Sequence, residues 1–326
     1  MQGVDATPWR SDVTISSRDS IAQQLRFVYL SDAGKKLART SFLEPYSTLF
    51  LADFVENFLG AEDGKGPLWI EVLTEGTKAP SVISRTYAAR AFGNLGSGLP
   101  GDVEAATGQF TLTRLIDGTD FRSSIAVLAG PDADVSAYFQ LHRGLDGSVS
   151  GLEKRVIKAK HLEQWSIDEL FPGEMREGQT MTVTVILSQP GIAFSTLVDN
   201  ASTDSAVILG KRPSTSWIVP VVAHIPGQDD TLWSSTVTLW NAGSAVSEIS
   251  LEYLPENTDN SAGGIVGSPF VLGAYDTFPL EDVLLTRFGI TNGKGVLVIH
   301  ATEPISASSR VWTAGPQGGC AGNGVR

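Results

Sequence analysis

The chain has 326 residues, a formal net charge of −12, 42% hydrophobic and 18% charged residues, and one cysteine. That length exceeds one ordinary hydrophobic core and fits two or three domains of about 100 to 150 residues. The composition excludes wholesale disorder and a membrane-embedded body, the acidic balance argues against a nucleic-acid partner, and the lone Cys320 excludes an internal disulfide framework and any multi-cysteine metal site.

From the amino end, Met1 to Arg10 lacks the apolar core of a signal peptide, and no stretch approaches the roughly 18 apolar residues that cross a bilayer. No membrane insertion is expected, and the chain is either cytoplasmic or has lost a leader. The segment Thr7-Pro8-Trp9-Arg10-Ser11-Asp12-Val13-Thr14-Ile15 has the same order of residue types as Thr119 to Val127 and Thr231 to Leu239, each 112 residues further on. The register persists where Leu25, Phe27 and Tyr29 fall opposite Ala137, Phe139 and Leu141, then Ile249, Leu251 and Tyr253. Three copies of one unit explain this better than chance.

Within a unit the signal is strand. Val13 and Ile15, then Leu25, Phe27 and Tyr29, then Leu68, Ile70 and Val72 alternate with polar residues at period two, as expected where one face of a sheet is buried. Turn formers such as Asp32-Ala33-Gly34, Asp146-Gly147 and Asn257-Thr258-Asp259-Asn260 separate the runs. One short helix per copy is predicted after Asp53, Asp168 or Asp282, with each Asp as an N-cap accepting from free amides and with Gly60 and Gly289 as stops. A spacing of 229 residues relates Leu51-Ala52-Asp53 to Leu280-Glu281-Asp282, so the first and third copies are the closest pair.

The predicted fold is therefore all-β, three tandem immunoglobulin-like antiparallel β-sandwich domains, each with one short helix, spanning 1–101, 102–213 and 214–326. Linkers fall near Leu99-Pro100-Gly101 and Lys211-Arg212-Pro213-Ser214. The third copy opens with an extra apolar segment, Trp217 to Gly227, with no counterpart before Thr7, so the first copy is expected to lack its first strand.

Ala223-His224-Ile225-Pro226-Gly227, Trp9-Arg10-Ser11-Asp12, Leu280-Glu281-Asp282 with Phe288-Gly289, Ser84-Arg85-Thr86-Tyr87 and Val198-Asp199-Asn200 together resemble β-sandwich repeats appended to secreted or surface bacterial proteins. The resemblance implies export and a non-catalytic role. At the unit ends Phe92-Gly93-Asn94 and the Gly318-Gly319-Cys320 tail only approximate that pattern.

No catalytic constellation emerges. Gly147-Ser148-Val149-Ser150-Gly151 has the wrong residue at the centre of a nucleophile elbow. His142, His161, His224 and His300 are scattered without ligand spacing, and read as packing or surface residues. No cofactor fingerprint is present, so neither a catalytic residue, a metal ligand nor a cofactor is predicted. The basic run Lys154, Arg155, Lys158 and Lys160 reads as a solvated strand edge. Acidic loops at Asp132-Ala133-Asp134, Gln228-Asp229-Asp230 and Asn257 to Asn260 read as turns rather than calcium sites.

The remaining ligand candidates are Asp53 with Arg85 and Asp282 with Arg310, where Arg offers a bidentate fork; a helix cap and a strand brace explain the same residues. Trp9, Phe121 and Trp233 suggest either a sugar platform or core packing, the latter favoured. The functional expectation is a non-enzymatic extracellular or cell-surface spacer, stalk or adhesive module, with a cell-surface protein or polysaccharide as partner. A carbohydrate-binding accessory region is the alternative, and an enzyme site assembled between domains comes last.

Overall fold

The computed structural model describes residues 8–61, 64–90, 93–101, 104–144, 148–174, 177–228, 230–314 and 320–325. Thr7, Phe92, Asp146, Gly147, Asp229, Gly318 and Gly319 lie outside them. The fold is all-β, with several antiparallel sheets and three short helices.

The N-terminal segment contains β1 (Trp9–Ser16), β2 (Gln23–Leu30), β3 (Lys36–Leu43), β4 (Thr48–Leu51), a helical turn at Phe54–Phe58, β5 (Leu68–Val72), β6 (Ser81–Arg90) and β7 (Gly93–Pro100). They form one sheet of order β3-β2-β5 and another of order β4-β1-β6-β7. Between them lies a cluster of Val13, Ile15, Leu25, Phe27, Leu43 and Phe54. The period-two alternation noted in the sequence is what fills it, because every second side chain of β1 and β2 turns inward.

The middle segment contains β8 (Ala106–Leu115), β9 (Phe121–Ala129), β10 (Val135–Arg143), β11 (Ser148–Ile157), β12 (Leu162–Ser166), α1 (Ile167–Leu170), β13 (Met181–Asp199) and β14 (Ser205–Leu209). Strand β13 serves both layers. Its first half, Met181 to Leu187, pairs with β10 and β8, while Gly191 to Asp199 pairs with β9 and β14. The change of layer falls at Pro190, which has no N–H to give to a ladder.

The C-terminal segment repeats this plan with β15 (Ser214–Pro226), β16 (Leu232–Asn241), β17 (Ser247–Pro255), β18 (Ile265–Val266), β19 (Phe270–Leu272), β20 (Thr277–Leu280), α2 (Val283–Phe288), β21 (Gly293–Ala314) and β22 (Cys320–Val325). The first part of β21 pairs with β17 and β15, and the part after Pro304 pairs with β16 and β22. Each of the two longer segments has its own buried cluster, centred on Ile125, Phe139 and Val185 and on Val237, Leu251 and Ile299.

Pairing registers make the strands equivalent one by one. Val13 opposes Ser84, Ile125 opposes Ser195 and Val237 opposes Ser309, so Ser84-Arg85, Ser195-Thr196 and Ser309-Arg310 share a position. The N-terminal segment has no counterpart of β8 and β15 among the described residues.

The helix starts differ from the expectation. Asp53 and Asp282 stand at the N-cap position, but neither side chain caps; both backbones are left-handed, with φ of 43° and 44°. In the middle segment the cap is Ser166, in a capping box with Glu169, and Asp168 lies inside the helix. Counting from the β-ladder, the position matching Asp53 and Asp282 is the buried Ile167. An extended Ser166 aims its hydroxyl at the helix amides, whereas the left-handed Asp backbone directs the carboxylate to a neighbouring strand. Gly289 and Gly60 take positive φ just past their helices, as terminators should.

Candidate functional site

The four ligand candidates have separate surroundings. Asp53 accepts from the Arg10 guanidinium, and its N–H donates to Asp12 Oδ1 at 2.9 Å. Tyr87 also reaches Asp12, at 3.3 Å; burial foremost, then the Asp12 charge, raises its phenol pKa. Arg85 lies over the Tyr87 ring. Asp282 accepts from the nearly buried His224, Nδ1 lying 2.7 and 2.9 Å from its two oxygens. Arg310 is buried, 3.7 Å from Asp204 of the middle segment and over the Phe121 ring. Arg310 thus belongs to a contact between segments.

The aromatics follow the same turn of meaning. None of the seven tryptophans is exposed, and the indole N–H of Trp69, Trp217, Trp240 and Trp312 donates within the chain. Trp9, Phe121 and Trp233 are half-buried and lie outside the three clusters, which corrects the core assignment: they sit at the first residues of β1 and β9 and beside the first of β16, beyond the filled layer.

Loop chemistry accounts for the acidic and basic runs. Asp134 accepts from Lys158 Nζ at 2.7 Å and from the Ala159 amide, and Asp259 accepts from the Ser261 amide. Lys154 and Arg155 lie on β11, an edge strand. Among the described residues no three His, Cys, Asp or Glu side chains gather as a metal site, and no helix is long and apolar enough to cross a membrane.

What the structure does assemble is a pair of junctions. Each segment has two outward sheet faces. The forward face is the outer side of β2 and β5, of β10, β8 and the first half of β13, or of β17, β15 and the first half of β21. The rear face is the outer side of β1, β4 and β6 and their counterparts.

The middle segment's forward face meets the C-terminal segment's rear face. Thr113 Oγ1 donates to Ser308 Oγ at 2.6 Å, and Thr182 Oγ1 lies 2.9 Å from Thr277 Oγ1. The His142 ring packs on Trp240 at 4.7 Å and stacks with Tyr275 at 6.2 Å, while its Nε2 reaches Thr184. Burial alone lowers the His142 pKa to about 4, so the ring is neutral at pH 7.

The N-terminal segment's forward face meets the middle segment's rear face through Trp69, whose indole N–H donates to the Lys160 carbonyl at 3.2 Å. Val28, beside Trp69 and on the same outward side, is buried. Ser97 of β7 also donates to the Ser205 carbonyl of β14, and the closing strands β7, β14 and β22 lie against one another.

Both junctions use the same position. Tyr46, Lys160 and Tyr275 each precede the equivalent strand by two residues, and each has positive φ, of 50°, 67° and 61°. Lys160 is met by Trp69 of the preceding segment, and Tyr275 by His142 of the preceding segment. Sequence reasoning missed this residue. A signal existed, since the 229-residue spacing at Leu51 and Leu280 also places Tyr46 on Tyr275. No protein-family model matches the chain, and no curated protein matches it.

Proposed function

We propose that the chain is a non-enzymatic structural or adhesive repeat module acting outside the cell or at a cell surface, built of three tandem immunoglobulin-like sandwiches spanning 1–101, 102–213 and 214–326. The observation that carries this reading is the role of the repeated positions. Those shared between copies fill the cores or, as at Lys160 and Tyr275, receive the preceding segment. Segments docked through buried side chains keep a fixed mutual geometry, unlike beads on free linkers, which suits a spacer or a surface that presents similar faces. The resemblance to repeats of secreted and surface bacterial proteins supports the location, with a cell-surface protein as the class of partner and a polysaccharide belonging to the alternative. The carbohydrate-binding alternative draws on the tryptophans, none of which is exposed, though Trp9 and Trp233 are only half-buried.

Co-sedimentation with insoluble polysaccharides and bacterial cell walls tests the reading, with tryptophan fluorescence to follow soluble competitors. The expected result is no saturable binding that a defined sugar displaces. Saturable binding competed away by one sugar would replace the structural reading with the carbohydrate-binding one.

A further inference from the structure

Among the described residues, forward faces meet rear faces twice, which leaves one of each not covered by another of the three segments: the rear face of the N-terminal segment and the forward face of the C-terminal segment. We propose that these two faces bind each other between copies, so that the C-terminal segment of one chain docks on the N-terminal segment of a second copy, head to tail.

The residues at the junction positions of the free ends point to this contact. On the middle segment's forward face Thr111, Thr113, Arg114, Thr182, Thr184 and His142 are all buried. Pairing registers, including a matching bulge in β8 and β15, place Ile218, Pro220, Val221, Val296, Val298 and Leu254 at those same positions in the C-terminal segment. These six buried polar residues of the covered face are thus apolar on the uncovered one, where Glu252, in place of Gln140, stays polar. Ile218 is 63% exposed there, and Val266, in the same cross-strand row, 67%.

The N-terminal rear face changes in the same sense at Ile83, while Asp12 stands where the C-terminal segment has Thr236. Ile83, 57% exposed, takes the position of Ser308, which bonds Thr113 inside the chain. Phe50, 60% exposed, stands where the C-terminal segment has Pro279. Tyr46, 73% exposed, is the third member of the positive-φ series whose other two members are each met by a preceding segment.

Exposed apolar side chains on two faces at opposite ends of one chain, each face equivalent to one already covered within it, fit a second copy of this chain better than an unrelated partner. Pro220 replaces Thr113 and would face Ile83 of the second copy, and Val296 replaces Thr182 and would face Thr48, with Ile218 and Val221 beside them on the same face. A contact between two different faces either closes into a ring or extends into a filament. The proposal rests on sheet registers and not on the surface role above, so either can fail without the other.

Sedimentation of the full chain across rising concentration tests it. The mass should grow beyond the 34.7 kDa of one chain. Ile83→Glu and Ile218→Glu each place a charge in the contact and should weaken self-association about tenfold or more. Mixed in equal amounts, the two variants retain one intact face each and should recover a pair of chains and nothing longer. A chain that remains monomeric throughout, variants that associate like the parent, or a mixture that recovers no pair overturns the proposal.

Discussion

The two junctions inside the chain bury different chemistry. Between the middle and C-terminal segments the contact is made by threonine and serine hydroxyls, a neutral histidine between Trp240 and Tyr275, and a buried guanidinium near Asp204. Between the N-terminal and middle segments it rests on Trp69, the buried Val28 and single hydrogen bonds to carbonyls of Lys160 and Ser205. The polar junction specifies one alignment, because a buried donor left without its acceptor costs more than the bond is worth when made. The apolar junction tolerates adjustment. The first should therefore respond sharply to substitution and to acid, and the second only mildly.

The largest effect is expected at the buried charge. Asp204→Asn leaves the Arg310 guanidinium without its counter-charge and should lower stability to urea by about 3 kcal/mol or more. Adding Arg310→Met to that variant should recover most of the loss, because an uncharged pair has no unpaired ion to bury. A double variant no better than the single one would mean that Arg310 is held by something other than Asp204.

Acid comes next. The His142 pKa is about 4 in the folded chain against 6.5 in an unfolded one, so the unfolded state binds the proton first. His142 costs nothing above pH 6.5, and stability falls progressively as pH drops from 6.5 to 4, by up to about 3 kcal/mol. Urea titrations across that window should show a steeper fall for the parent than for His142→Leu. Equal slopes would remove the buried histidine from the account.

The smallest effect belongs to the apolar junction. Trp69→Phe keeps one aromatic ring and removes the pyrrole ring with the N–H that reaches the Lys160 carbonyl, which should cost about 1 to 2 kcal/mol. A loss as large as that at Asp204 would make the two junctions equivalent in kind.

Much of the layering was legible because period-two alternation and the 112-residue register report directly on which side chains face a core. The helix starts were less legible. Asp53 and Asp282 look like caps in sequence, since residue type alone does not distinguish an extended from a left-handed backbone. Arg310 looked like a partner for Asp282, yet its neighbours come from a segment more than a hundred residues earlier, which no local spacing encodes. His142 reads as an ordinary packing histidine, and its pairing with Tyr275 depends on how two sheets stack. The positive-φ position was hidden for a further reason: Tyr and Lys are not residues that signal a left-handed turn, as Gly or Asn would.

Forward faces dock on rear faces along the chain, and a disulfide trap tests this docking most directly. In a Cys320→Ser background, Thr182→Cys and Thr277→Cys together place two thiols where hydroxyl oxygens lie 2.9 Å apart. Mild oxidation should join them within one chain, with no increase in mass on a non-reducing gel and faster migration than the reduced form. Thiols that stay free, or that link only between chains, would contradict the docking of the middle segment on the C-terminal one.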